Sequence, residues 1–246
     1  MIKKNYYKVV RVFPDPSSYF YIKNEMVSET GLITFSYMFL NRVHLEYSFD
    51  KMNWTLLSGN PQLQVPADSY IYFRNTSGTF GTDNGDFLSI DYMNVNIGGD
   101  IRTILNYTDV DSITAIPTWA FRRVFNVEGN YKITDISNLS FRGITSIGDH
   151  GLDMFVSDCY IGTKGVDLRD VTTLGEGATR YMYAKAENLT EAYAPNVSTW
   201  DTLKADCWLE NVAPTGVVYK PSTLDIPTNS YSGIPSGWTT QDYPTE

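Results

Sequence analysis

The chain has 246 residues, a formal net charge of -9, a pI near 4.7, and 42% hydrophobic, 14% aromatic and only 19% charged residues. An acidic chain without a useful basic run has no footprint for neutralising phosphates, so nucleic acid is excluded as a partner and anionic membranes are disfavoured. No stretch approaches the ~18 apolar residues of a membrane span, and two cysteines, Cys159 and Cys207, are too few to imply a disulfide framework and read as small buried apolar side chains.

Residues 1–30 carry strand-like runs. YYKVVRVF (6–13) is β-branched and aromatic, and Pro14 and Pro16 break it. YFYI (19–22) follows. The start has lysines and tyrosines but no apolar leader segment, so the chain is expected to be made in a cytoplasm and not exported by the standard signal.

Residues 31–107 read as a small β-sandwich-like module and a bridge. GLITFSYMFL places Ile33, Phe35, Tyr37 and Phe39 on one face, and VHLEYSF places Val43, Leu45, Tyr47 and Phe49 on one face, by the two-residue period of a strand. Asp50-Lys51-Met52-Asn53 is a hairpin turn and WTLL the return strand. QLQVPADSYIYFRN gives two more strands around a Pro-Ala-Asp turn. Residues 76–107, rich in Gly, Asn, Asp and Thr, contain an Asp83-Asn84-Gly85 turn signal and read as the bridge.

Residues 108–246 read as a repeat domain with a C-terminal cap, and residues 112–220 within it contain an internal repeat. Its units begin IPTWAFRRVF, IGDHGLDMF, LGEGATRYMY and WDTLKADCW, led by Ile116, Ile147, Leu174 and Trp200 and closed by Phe125, Phe155, Tyr183 and Trp208. Strand-like segments, KITDISNLSF, GVDLRDVTTL, NLTEAYAPNV and GVVYKP, lie between them. One strand and one short helix per unit is the expectation. A single unit cannot bury its apolar side, so neighbours stack around a shared interior.

ITSIGDHGLDMF (144–155), and more loosely TTLGEGATRYMY (172–183), resemble the BspA-type leucine-rich repeats of gut Bacteroidota and their crAss-like phages. YSFDKMNWTLLSG (47–59), VPADSYIYFRN (65–75), the glycine-rich bridge and GIPSGWTTQDY (233–243) are similar to that family's upstream β module, bridge and tail, so the likeness covers residues 31–243. The cysteine or asparagine usual after MF is displaced or missing. The resemblance implies a mainly β protein with short helices, an N-terminal β-sandwich-like module followed by an irregular leucine-rich-repeat solenoid. It implies a surface-exposed protein that binds a host protein or glycan. Without an export leader, the expected place is a phage virion surface, as a head fibre, tail fibre or capsid decoration. A bacterial cell-surface adhesin is the alternative and a polysaccharide depolymerase a weaker one. Residues 1–30 lie outside the resemblance and become the anchoring segment, with Tyr6, Tyr7, Val9, Val10, Val12 and Phe13 as candidate contacts to other virion proteins. A homo-oligomer is expected, with no cofactor.

Chemistry has weak handles here. The two histidines, His44 and His150, have no ligand at metal spacing, and no G-x-S-x-G elbow exists. Asp149, Asp153, Asp167 and Asp170 are the carboxylates a glycosidase reading would use, and they read instead as solvated strand ends and caps. The expectation is therefore no enzyme, no catalytic residue and no metal. Tyr181, Tyr183, Tyr193, Trp200, Trp208, Tyr219 and Trp238 are aromatics for stacking on sugars or filling an interface, with core packing favoured for Tyr183 and Trp208 and an outward position for Tyr193.

Overall fold

The computed structural model describes residues 19–35, 43–77, 80, 88–127, 132–157, 159, 161–201, 204–229 and 231–244. Among them the fold is mainly β, in several open sheets, with one short α-helix, α1 (Arg102–Asn106). Tyr6, Tyr7, Val9, Val10, Val12 and Phe13 lie outside the described residues, as do Tyr37, Phe39 and the turn at 83–85.

The first sheet is built on β1 (Phe20–Asn24), which pairs antiparallel with β6 (Tyr70–Asn75) on one side and β8 (Val95–Asp100) on the other. Beyond β6 lie β3 (Leu45–Ser48) and its short return strand β4 (Thr55–Leu56). Beyond β8 lie two parallel partners, β11 (Ile133–Asp135) and β12 (Leu139–Ser140). The second sheet runs in the order β10 (Phe125–Val127), β7 (Leu88–Asp91), β2 (Gly31–Phe35), β5 (Gln62–Val65). Strands β5 and β6 flank the Pro-Ala-Asp turn yet enter different sheets. Residues 88–100, expected to bridge two modules, supply a strand to each sheet instead. Likewise β1, within the expected anchor, is a central strand.

Strand alternation decides what is buried. Phe20 and Ile22 of β1, Ile33 and Phe35 of β2, and Ile71 and Phe73 of β6 share one apolar cluster. Phe35 meets Phe73 with ring centroids 5.5 Å apart, joining the two sheets. Tyr19, Tyr21 and Tyr72 form a second, smaller cluster under Trp54 and Tyr107. Two buried asparagines are fully committed, as buried amides must be: Asn24 donates to the Glu29, Val65 and Pro66 carbonyls, and Asn75 to that of Leu105. Val43 and Leu45 are buried as expected, but Phe49 is 45% exposed. The Ser48 hydroxyl accepts from the Asp50 and Lys51 amides, so the chain turns out of the sheet before Phe49. The Asp50 carboxylate, held by the Asn53 and Met52 amides, sits well below the ordinary carboxylate range.

The segments read from the sequence as repeat units bond to one another in three columns. The first is β9 (Ala115–Ile116), β13 (Ser146–Ile147) and β14 (Thr173–Leu174), all parallel, with Ile116 opposite Ile147 and Ile147 opposite Leu174. Three of the four leading residues read from the sequence therefore stand in one register. The second column runs from Gly165, whose amide donates to the Glu191 carbonyl, through β15 (Glu191–Tyr193), β16 (Gly216–Lys220) and β17 (Trp238–Asp242), again parallel.

The third column replaces the short helices expected in each unit. Residues 117–123, 148–156, 175–186 and 205–211 are runs of tight turns. Alternate amides close turns locally, as Asp153 to the His150 carbonyl and Phe155 to that of Leu152. The others donate to the next unit: Leu152 to Ala178, Met154 to Arg180, Tyr181 to Asp206, Tyr183 to Trp208. A residue with positive φ recurs every four positions, at Trp119 and Arg123, His150 and Met154, Tyr181 and Lys185, and Cys207 and Asn211. An α-helix would spend all these amides within its own unit. Spending half of them between units makes the column a ladder, and the left-handed positions turn those amides outward.

Candidate functional site

The four closing aromatics are buried in one cluster. Phe125 and Phe155 are 5.3 Å apart at their centroids, and Tyr183 and Trp208 are 6.5 Å apart. The Tyr183 hydroxyl accepts from the Val166 amide at 3.0 Å, and Trp208 Nε1 donates to the Gly233 carbonyl at 2.9 Å. Burial drives the Tyr183 phenol pKa strongly upward. None of the seven aromatics weighed as binding residues is fully exposed. Tyr193 is buried outside the main apolar cluster, covered by Tyr219, on which it stacks at 4.9 Å, and by Lys164, whose Nζ lies 5.1 Å from its ring centroid. Trp238 is buried, its indole donating to the Ala213 carbonyl. Trp200 is half-buried and packs on Trp208 at 5.1 Å.

The carboxylates serve separate purposes. Asp149 Oδ1 accepts from the Glu176 amide at 2.8 Å, which ties two units. Asp153 has no exposure and is not a solvated cap. Its carboxylate meets Arg180 Nη2 at 2.7 Å, Arg122 Nε at 3.2 Å and His150 Nδ1 at 3.3 Å. These groups come from three successive turn runs. His150 stacks on Trp119 with centroids 4.2 Å apart, and Arg122 lies over the same indole at 4.7 Å. The bond to Asp153 raises the Arg180 guanidinium above its ordinary value. A buried carboxylate between two guanidiniums is a structural clamp.

Cys159 and Cys207 are both buried thiols, as expected. Burial pushes the Cys207 thiol from 9.0 up to about 11, so it is not poised as a nucleophile. Among the described residues no group of three metal-ligating side chains converges, and no helix is long and apolar enough to cross a membrane.

Uncommitted polar groups gather elsewhere. A groove of about 510 Å³ opens on the flank of the stack, between the corner at 137–142 and the corner at 167–170 of the next unit. Its polar lining includes Ser137, Asn138, Ser140, Arg142, Asp167, Arg169 and Asp170. Asp170 Oδ2 accepts from the Gly143 amide at 2.8 Å, and Asp167 pairs with Arg169 Nε at 2.8 Å. Phe141 and Leu139 turn inward and are 2% exposed. Asp167 and Asp170, read separately as strand ends, are thus brought together, while Asp149 and Asp153 belong to the turn column. Arg142 went unnoticed in the sequence. The only available signal was a corner rich in Ser, Asn and Arg, SNLSFRG, which looks like any loop. A second, smaller cleft of about 180 Å³ lies between 172–174 and 197–205. No family profile matches the chain, and no curated protein or solved structure matches it.

Proposed function

We propose that this chain is a structural protein of a phage virion surface, a head or tail fibre or a capsid decoration. In this reading residues 108–246 are a solenoid of the leucine-rich-repeat kind with a C-terminal cap, mounted on a β-sandwich-like N-terminal body and displayed for adhesion to a host protein or glycan. The observation that supports it is the three-column bonding around one apolar interior. A body in which each unit is fixed to the next has the stiffness a displayed surface needs. The reading takes the chain as a binder and not an enzyme. In support, Asp149 and Asp153 are engaged in holding units together. Within the anchoring segment 1–30 read from the sequence, the part that precedes β1 is the proposed attachment to the particle, and a homo-oligomer is the proposed assembly.

The test is quantitative mass spectrometry of purified particles, with imaging of the assembled virion. The expected result is the chain at fixed copy number, with the repeat units outward. Particles without it would end the reading, and recovery from a bacterial envelope fraction alone would replace it with the cell-surface adhesin.

A further inference from the structure

The structure points to a saccharide-binding subsite in the flank groove, and we propose that it takes a neutral sugar residue through Arg142, Asp170, Asn138 and Ser137. This deepens the display reading above and rests on it for its biological meaning.

Among the described residues, the Arg142 guanidinium has no ion pair or hydrogen bond, and its corner is fixed by its own amide donating to Ser140 Oγ at 3.3 Å. Asp170 has one carboxylate oxygen on the Gly143 amide and the other unused. Among the described residues the Asn138 side-chain amide and the Ser137 hydroxyl, both exposed, have no hydrogen-bond partner either. All four line one 510 Å³ groove, a volume suited to a small ligand.

The lining then selects the ligand. Arg142 and Arg169 balance Asp167 and Asp170, so the groove has no net charge to offer an anion or a cation. In a chain of net charge -9, a polyanion gains nothing by approaching it. With Leu139 and Phe141 turned inward, an apolar ligand finds little surface. What remains is a ligand rich in groups that both donate and accept. Arginine supplies donors only, a carboxylate acceptors only, and asparagine and serine both. Adjacent hydroxyls of a sugar ring satisfy that set.

The experiment is isothermal titration of the full chain with cellohexaose, mannohexaose, xylohexaose and hexagalacturonate, beside Arg142→Ala and Asp170→Asn. Both positions are exposed, so thermal midpoints should match the parent and confirm folded variants. The expected result is binding of at least one neutral hexasaccharide, insensitive to salt, and weakened about tenfold or more in each variant. Binding by hexagalacturonate alone, no binding of any neutral sugar, or parental affinity in both variants would overturn the subsite. Release of reducing ends during titration would support the groove while removing the non-enzymatic reading. Absence of the chain from particles would remove the display reading and leave the titration to judge the groove by itself.

Discussion

Asp153 is where single side chains matter most. It is fully buried, and removing one partner of a buried ion pair leaves the other charges uncompensated. Asp153→Asn should lower the free energy of unfolding by about 3 kcal/mol in urea titrations. The loss should be little changed by salt, because the carboxylate is shielded from solvent. Tyrosines set the alkaline limit. Burial raises Tyr19 and Tyr21 from 10.0 to about 12. A raised pKa means the folded chain holds the phenol proton more tightly than the unfolded chain does. Their contribution is therefore intact below pH 10 and lost as pH climbs toward 12. Tyr21→Phe should flatten the fall of stability across that window, measured by unfolding at stepped pH. The sequence could not show either effect. Asp153 looked like any helix-cap aspartate, because its two arginines come from units 31 residues before and 27 residues after it.

The turn runs carry the lesson at the scale of elements. Of the leading residues read from the sequence, Ile116, Ile147 and Leu174 stand in one register and Trp200 does not, while the closing aromatics meet as two pairs, Phe125 with Phe155 and Tyr183 with Trp208. Sequence alone misreads the segment between them as helical because turns closed three residues back bury nearly the same positions as a helix does. Only the partners of the alternate amides separate the two, and those lie in another unit. Far-ultraviolet circular dichroism should accordingly lack a helical double minimum. Gly177 supplies a sharper check. Its φ is +57°, and an added Cβ would stand 2.7 Å from the His150 ring. Gly177→Ala combines left-handed strain with that clash and should cost about 1–2 kcal/mol, read as a lowered urea midpoint. The groove was hidden for a related reason. Its two walls are 27 residues apart in sequence, as Gly143 and Asp170 are, and neither wall alone has a motif.

At the scale of the whole molecule, the outermost described strands on either side of the stack differ in their pairing. One end joins the first sheet through β8, which pairs with β11 and β12. The other end is β17, whose Thr239, Thr240, Gln241 and Asp242 are exposed. An open strand edge invites another chain, and a polar, charged rim discourages it. Replacing Thr240 and Asp242 by valine should convert this terminus into an association site, seen as earlier elution in size-exclusion chromatography with scattering. The shared strand β8 has a mechanical consequence. No slack linker lies between the described repeat units and the N-terminal strands. β11 and β12 pair with β8, and β8 with β1, so the first strands of the repeat segment and β1 belong to one hydrogen-bonded sheet. Strain applied to β11 or β12 therefore reaches β1 through paired backbone within that one sheet.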